Sequence, residues 1–280
     1  MDSQPAMPIE SGFMNNCHGS KSTMKLTVLG CGGGIGSGSG TTALLLDGDV
    51  LIDAGSGILG LSRERLAMID HVFLTHAHLD HVLGLPLLLD AVMDIRSRPV
   101  TVYGLEFTLN CLQQHIFNWS LWPDFRAIPD REKPLLRYAP PLRPGERHDL
   151  GNNRHIVTMP AYHSVPAIGF QIEAPSGKSL VFSGDTGPCD AFWHDVNQID
   201  QLDGVIMETA FADDGIKTAE VARHYTPAML ARDLVSLRDG SQIYITHLKP
   251  GNEQEIMQQL HKHLPFRQVH QLKSGDVLTF

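Results

Sequence analysis

Apolar and polar positions first alternate in short runs with the two-residue period of strands, expected over 25–29, 42–46, 50–52 and 71–74. A Gly-rich stretch separates the first two, and Asp47-Gly48 supplies a turn before the third, giving a β-meander opening. The apolar run 83–93 is long enough for a buried helix. Further strands are expected over 100–103, 156–159, 168–172, 179–183, 204–207 and 242–246, with helices over 227–237 and 252–264. Thr226 and Pro227 read as N-cap and first residue of the helix that follows them. Between 105 and 150 the periodicity dissolves among prolines and aromatics, which predicts an irregular cap. Residues 1–23 have no periodicity and are expected to form a disordered leader to a single domain over 24–280.

Composition narrows the class. A chain of 280 residues with 42% hydrophobic content can bury a core without disulfides. Its net charge of −9 offers no basic field to gather phosphates, so long nucleic acids are not expected partners. Cys17, Cys31, Cys111 and Cys189 are scattered without a CxxC pair and read as reduced thiols of a cytoplasmic protein. No stretch approaches the roughly 20 apolar residues that cross a bilayer, and no export signal opens the chain. The sequence is silent on assembly. A homodimer is the default expectation, for which 105–150 could serve as an interface.

Chemistry concentrates at Thr75-His76-Ala77-His78-Leu79-Asp80-His81, a loop between an expected strand and the apolar helix. Ionisable groups set among Val72, Phe73, Leu74, Val82 and Leu83 would be costly to bury unless a metal takes their lone pairs. His76 and His78 alternate on an extended segment and can point the same way, while Asp80 and His81, past the turn, can face a second ion. Three more candidates, His163, Asp185 and His247, follow directly after expected strands, where site residues commonly lie. The stretch Gly30-Cys31-Gly32-Gly33-Gly34-Ile35-Gly36 superficially suggests dinucleotide binding. An aliphatic strand follows it rather than a helix that could receive a pyrophosphate, so a turn near the site is expected instead.

The HxHxDH loop, with Gly84-Leu85-Pro86, His163-Ser164-Val165-Pro166, Ser183-Gly184-Asp185-Thr186-Gly187-Pro188, Glu208-Thr209-Ala210-Phe211, His224-Tyr225-Thr226-Pro227 and Ile245-Thr246-His247-Leu248-Lys249-Pro250, resembles the metallo-β-lactamase superfamily. Within it the chain is most similar to class II cyclic-nucleotide phosphodiesterases, from Met24 to the C-terminus. The resemblance implies an α/β fold, the αβ/βα four-layer sandwich, with two divalent metal ions at one edge of its sheets. His76, His78 and His163 would hold one ion, Asp80, His81 and His247 the other, and Asp185 would bridge them. The donor mixture suits Zn²⁺, and Mn²⁺ or Fe would also be accepted. Asp80, His224 and Glu208 are the implied catalytic residues, His224 as acid for the leaving oxygen and Glu208 as its orienting partner. Asp53 resembles an aspartate behind the metal loop, and Lys249 could meet a substrate phosphate.

The expected activity is hydrolysis of 3′,5′-cyclic nucleotides, cAMP or cGMP, to 5′-nucleotides. A tRNA 3′-end processing endonuclease shares the metal set, but the acidic balance gives it little electrostatic help. A glyoxalase-type thioesterase or a true β-lactamase shares only the HxHxDH loop. The non-enzymatic alternative is a metal-binding regulatory module, which a missing ligand would have signalled.

Overall fold

The computed structural model describes residues 23–36 and 38–280. The leader expected over 1–23 therefore lies, except for Thr23, outside the described residues, as does Cys17. Strands β1 (Lys25–Gly32), β2 (Gly40–Thr41), β3 (Ala43–Leu46), β4 (Val50–Ile52), β5 (His71–Phe73), β6 (Val100–Tyr103) and β7 (Leu136–Tyr138) belong to one sheet. The second holds β8 (Arg147–Gly151), β9 (Arg154–Pro160), β10 (Ile168–Glu173), β11 (Ser179–Phe182), β12 (Leu202–Glu208), β13 (Gln242–Thr246) and β14 (Val269–Gln271). The last strand, β15 (Val277–Thr279), returns to the first sheet beside β1, which gives the orders β15-β1-β3-β4-β5-β6-β7 and β14-β13-β12-β11-β10-β9-β8.

Alternation along the strands creates two faces on each sheet. Leu26, Val28, Leu44, Ile52 and Phe73 meet Ile156, Phe170, Ile172, Phe182 and Ile206 in the layer between the sheets. The opposite face of the first sheet packs Leu45, Leu51, Val72 and Val102 against Leu85, Leu88 and Leu89. That of the second packs Val181, Val205, Ile243 and Ile245 against Phe192, Leu230, Ile256 and Leu260. The result is the four-layer αβ/βα sandwich. The helices are α1 (Arg63–Ala67), α2 (Leu79–Val82), α3 (Gly84–Val92), α4 (Glu106–Cys111), α5 (Asp190–Val196), α6 (Ile216–Ala222), α7 (Pro227–Asp233) and α8 (Glu253–His263). Among the described residues, none is long and apolar enough to cross a membrane.

Several expectations need correction. Segment 105–150 is not an irregular cap throughout: it supplies α4, the π-helical turn Leu112–Ile116, and β7 and β8, the edge strands of the two sheets. Helix α3 is amphipathic rather than wholly buried, with Leu87 and Asp90 outward. Pro227 opens α7, but Thr226 makes no side-chain cap, and its buried hydroxyl has no partner. Asp213 Oδ1 instead accepts from Ala228 N–H at 2.8 Å, so the cap comes from a preceding loop.

One polar link ties the two sheets at the edge away from the loop histidines. The Arg154 guanidinium, on β9, donates to both carboxylate oxygens of Asp49 at 2.8 and 2.6 Å and to Asp47 at 3.2 Å, in the β3–β4 turn. Arg154 is 8% exposed and the two aspartates 25% and 32%, so the link is screened less than a surface pair and more than a buried one. Arg154→Ala should cost about 1–3 kcal/mol, read as a lower urea midpoint with unchanged slope. An unmoved midpoint would make the link energetically silent.

Candidate metal centre

Strand direction gathers the candidate residues. β4, β5 and β6 run parallel, and β9, β11, β12 and β13 share one direction in the other sheet. A parallel bridge between Gly32, at the end of β1, and Leu248, just past β13, sets the C-terminal ends of both groups at one edge. Asp53, His76, His163, Asp185, Glu208 and His247 all lie at or just beyond those ends. Two glycines permit the final approach. A Cβ on Gly33 would lie 2.4 Å from the His247 carbonyl oxygen, and Gly184 has φ +60°, which turns the chain after β11 so that Asp185 enters the cleft. Asp53 and His247 adopt φ +55° and +62° without being glycine, a conformation that costs energy and recurs at functional sites.

A second set of groups decides which ring nitrogen each histidine presents. Asp53 is fully buried, and it accepts from Thr75 N–H at 2.8 Å and from His81 Nδ1–H at 2.7 Å. The single hydroxyl proton of Thr75 also goes to Asp53, at 2.9 Å, so His76 Nδ1, 2.9 Å from that hydroxyl, must be the donor to it. His163 Nδ1–H donates to the Arg223 carbonyl at 3.1 Å. With Nδ1 protonated in all three, each Nε2 keeps a free lone pair. His247 Nδ1 lies 3.4 Å from Thr42 Oγ1.

These lone pairs converge. His76, His81 and His247 Nε2 lie 3.8, 3.4 and 3.2 Å from Asp185 Oδ2, and His81 and His247 Nε2 lie 3.8 and 4.0 Å from Asp80 Oδ2. His163 Nε2 stands 3.1 Å from His78 Nδ1. Donor atoms fall within 4.8 Å of one another in His76–His78–His163, His76–His81–Asp185, Asp80–His81–His247 and His163–Asp185–His224. The buried Nε2 atoms of His76 and His81 have no hydrogen-bond partner. Buried acceptors without donors, drawn around one carboxylate, fit a pair of divalent cations.

The electrostatics agree for His76, His163 and His247, whereas His81 is held protonated by its carboxylate neighbours and must give up its Nε2 proton to a cation. Burial lowers the pKa of His76 well below the ordinary imidazole value, and brings His163 to about 4 and His247 to about 3, which leaves them neutral as metal binding requires. Burial also disfavours charged His81, but Asp185 and Asp53 outweigh it and hold its pKa well above the usual range. For Asp185, the cost of burial is overcome by His247, His81 and His76, and its carboxyl stays well below the usual range.

Next to this centre, His224 Nδ1 lies 2.8 Å from Glu208 Oε1, the last residue of β12. Thr186 N–H donates to the same oxygen at 3.1 Å, and Glu208 is fully buried. Burial pushes the Glu208 carboxyl above its usual range. It also works against a charged His224, yet Glu208 and Asp185 more than offset it and raise the imidazole. His224 lies 7% exposed beside the second-sheet histidines, its ring 5.5 Å from that of His247 at 16° and 4.9 Å from that of His163. His224, expected as an acid outside the ligand set, has a ring nitrogen within 4.8 Å of donor atoms of His163 and Asp185.

Several contributors carried no sequence signal. Thr75 was read only as the start of the loop, although its hydroxyl fixes His76. Arg223, at φ +57° after α6, accepts from His163 through its carbonyl and donates from Nη1 to the His163 carbonyl at 2.6 Å. Lys249, which the sequence did single out as a contact for a substrate phosphate, instead donates from Nζ to the Gly33 carbonyl at 2.7 Å, across the Gly-rich turn expected near the site.

Residues 49–269 match the beta-lactamase superfamily domain. A probable 3′,5′-cyclic-nucleotide phosphodiesterase of Yersinia pestis is 25% identical over 283 residues, covering 84% of this chain and 81% of that protein. A ribonuclease Z of Methanococcus maripaludis is 30% identical over 163 residues, covering 54% of this chain and 50% of its own length. Among solved structures, unliganded yeast PDE1 superposes with a TM-score of 0.78 at 18% identity, covering 93% of this chain and all of that one. With the family match spanning most of its length and the fold of its structural neighbour, the chain belongs to the metallo-β-lactamase superfamily of hydrolases.

Proposed function

We propose that this protein is a dinuclear metal-dependent phosphodiesterase that hydrolyses 3′,5′-cyclic nucleotides, cAMP or cGMP, to 5′-nucleotides. The observation that carries it is the His224–Glu208 pair set beside a complete donor cluster around Asp185. His76, His78 and His163 would hold one cation, Asp80, His81 and His247 would hold the other, and Asp185 would serve both. Zn²⁺ suits the donors best, with Mn²⁺ or Fe as substitutes. When bound, two such cations offset the negative charge of a phosphodiester and of the charge that develops at phosphorus.

The chain's own residues supply orientation and a proton. Asp53 and Thr75 fix the tautomers of His81 and His76. Glu208 engages His224 Nδ1, so that the other nitrogen is free to protonate the departing 3′-oxygen, a strongly basic leaving group. Glu208 and Asp185 raise the His224 pKa against the cost of burial and so favour its protonated form.

The names of the Yersinia relative and of yeast PDE1 support this reading. The ribonuclease Z similarity favours a second one, cleavage at a tRNA 3′ end, but it spans about half of each chain. A net charge of −9 argues for a small-molecule substrate over a polynucleotide. Product analysis tests the proposed direction of cleavage: metal-loaded protein should convert cAMP to 5′-AMP, and release of 3′-AMP would place the acid on the wrong oxygen.

A further inference from the structure

If His224 protonates the leaving oxygen, the nucleoside attached to that oxygen must lie on the His224 side of the metal centre. A hollow of about 260 Å³ lined in part by His224 lies there, with Tyr162, Pro188 and Met229 among its other walls. Glu220, Arg223 and Arg232 stand around it. Tyr162 is 49% exposed, and the Arg223 guanidinium covers its ring at 4.4 Å from the centroid. That guanidinium is not free to swing, because Nη1 donates to the carbonyl of His163 at 2.6 Å. The guanidinium is thus stacked on one face of the phenol ring, a layered shelf with a flat face on either side, fixed relative to a donor of the proposed metal centre.

We propose that this hollow is a nucleobase subsite. The base of the leaving nucleoside packs against the Tyr162–Arg223 shelf, with Pro188 and Met229 as apolar walls. Flat aromatic and guanidinium surfaces suit a base because every base has a π-face and little side-chain entropy is lost in using them. Met229 adds an adaptable thioether wall. Glu220 offers only acceptors when ionised, so it favours a base edge that carries an amino group over one that carries a carbonyl. A larger hollow, about 690 Å³ around Arg147, Gln171 and Gln201, includes neither His224 nor any of the proposed metal donors and cannot serve the same nucleoside.

The assignment rests on the cyclic-nucleotide reading, and binding separates the two. Calorimetry on metal-loaded protein, with AMP and inorganic phosphate as probes, measures what the nucleoside adds to phosphate affinity. AMP should bind at least about tenfold more tightly than phosphate. Tyr162→Ala should weaken AMP about tenfold and leave phosphate unchanged, while Tyr162→Phe, which keeps the ring, should stay within about twofold of wild type. Equal affinities for AMP and phosphate in the wild type would overturn the subsite. So would an AMP affinity indifferent to Tyr162→Ala, or a parallel loss for both probes, which would mean that Tyr162 shapes the metal centre instead. Wild-type turnover of cAMP decides the parent reading independently. Tyr162-dependent AMP binding with inert cAMP would keep the subsite and remove the cyclic substrate, and cAMP turnover with Tyr162-independent binding would do the reverse.

Discussion

Replacing His224 with alanine should slow cAMP hydrolysis by about 10²- to 10⁴-fold, the range general acids contribute. The leaving 3′-oxygen is a strong base and departs poorly without a proton. Nitrophenolate leaves readily, so the same variant should lose far less on bis(p-nitrophenyl) phosphate. The sign of the pH dependence follows from the same role. An acid must carry its proton, so the wild-type rate on cAMP should fall as pH rises through the raised pKa of His224, and His224→Ala should lack that alkaline limb. Metal content discriminates further, because His224 lies within the donor group of His163 and Asp185. Unchanged metal with both substrates slowed equally would make His224 a positioning group, and lost metal would make it a ligand.

Asp185→Asn should lower metal content from about two equivalents per chain and abolish most activity. Asp185 Oδ2 is within 3.8 Å of three imidazole nitrogens, so one atom serves both proposed cations. An amide is nearly the same size but brings no negative charge, and a bridging position between two cations depends on that charge. Elemental analysis with cAMP turnover reads both effects. Full metal and full rate in the variant would remove Asp185 from the centre.

The loop of candidate metal donors stood out because histidines and an aspartate inside an apolar stretch demand a compensating partner. β4, β6 and β13 were legible to the residue, since short β-branched and aliphatic runs ended at turns. The edge strand β8, Arg147–Gly151, was not. It is polar and has no buried residue, so its pairing with β9 rather than its own pattern makes it a strand. His163, Asp185 and His247 were visible as residues after strands, but only strand direction and the Gly32–Leu248 bridge bring them to one edge. Arg223 was invisible for a different reason. Its carbonyl and a left-handed backbone contribute as much as its side chain, and neither leaves a spacing to read.

Initial rates on cAMP and on a precursor tRNA, with the same metal-loaded protein, separate a small cyclic substrate from a polynucleotide. A cyclic-nucleotide phosphodiesterase should show cAMP turnover that a chelator abolishes and restored metal recovers, with precursor tRNA left intact. Rapid 3′-end cleavage of the precursor with inert cAMP would contradict the cyclic-nucleotide reading.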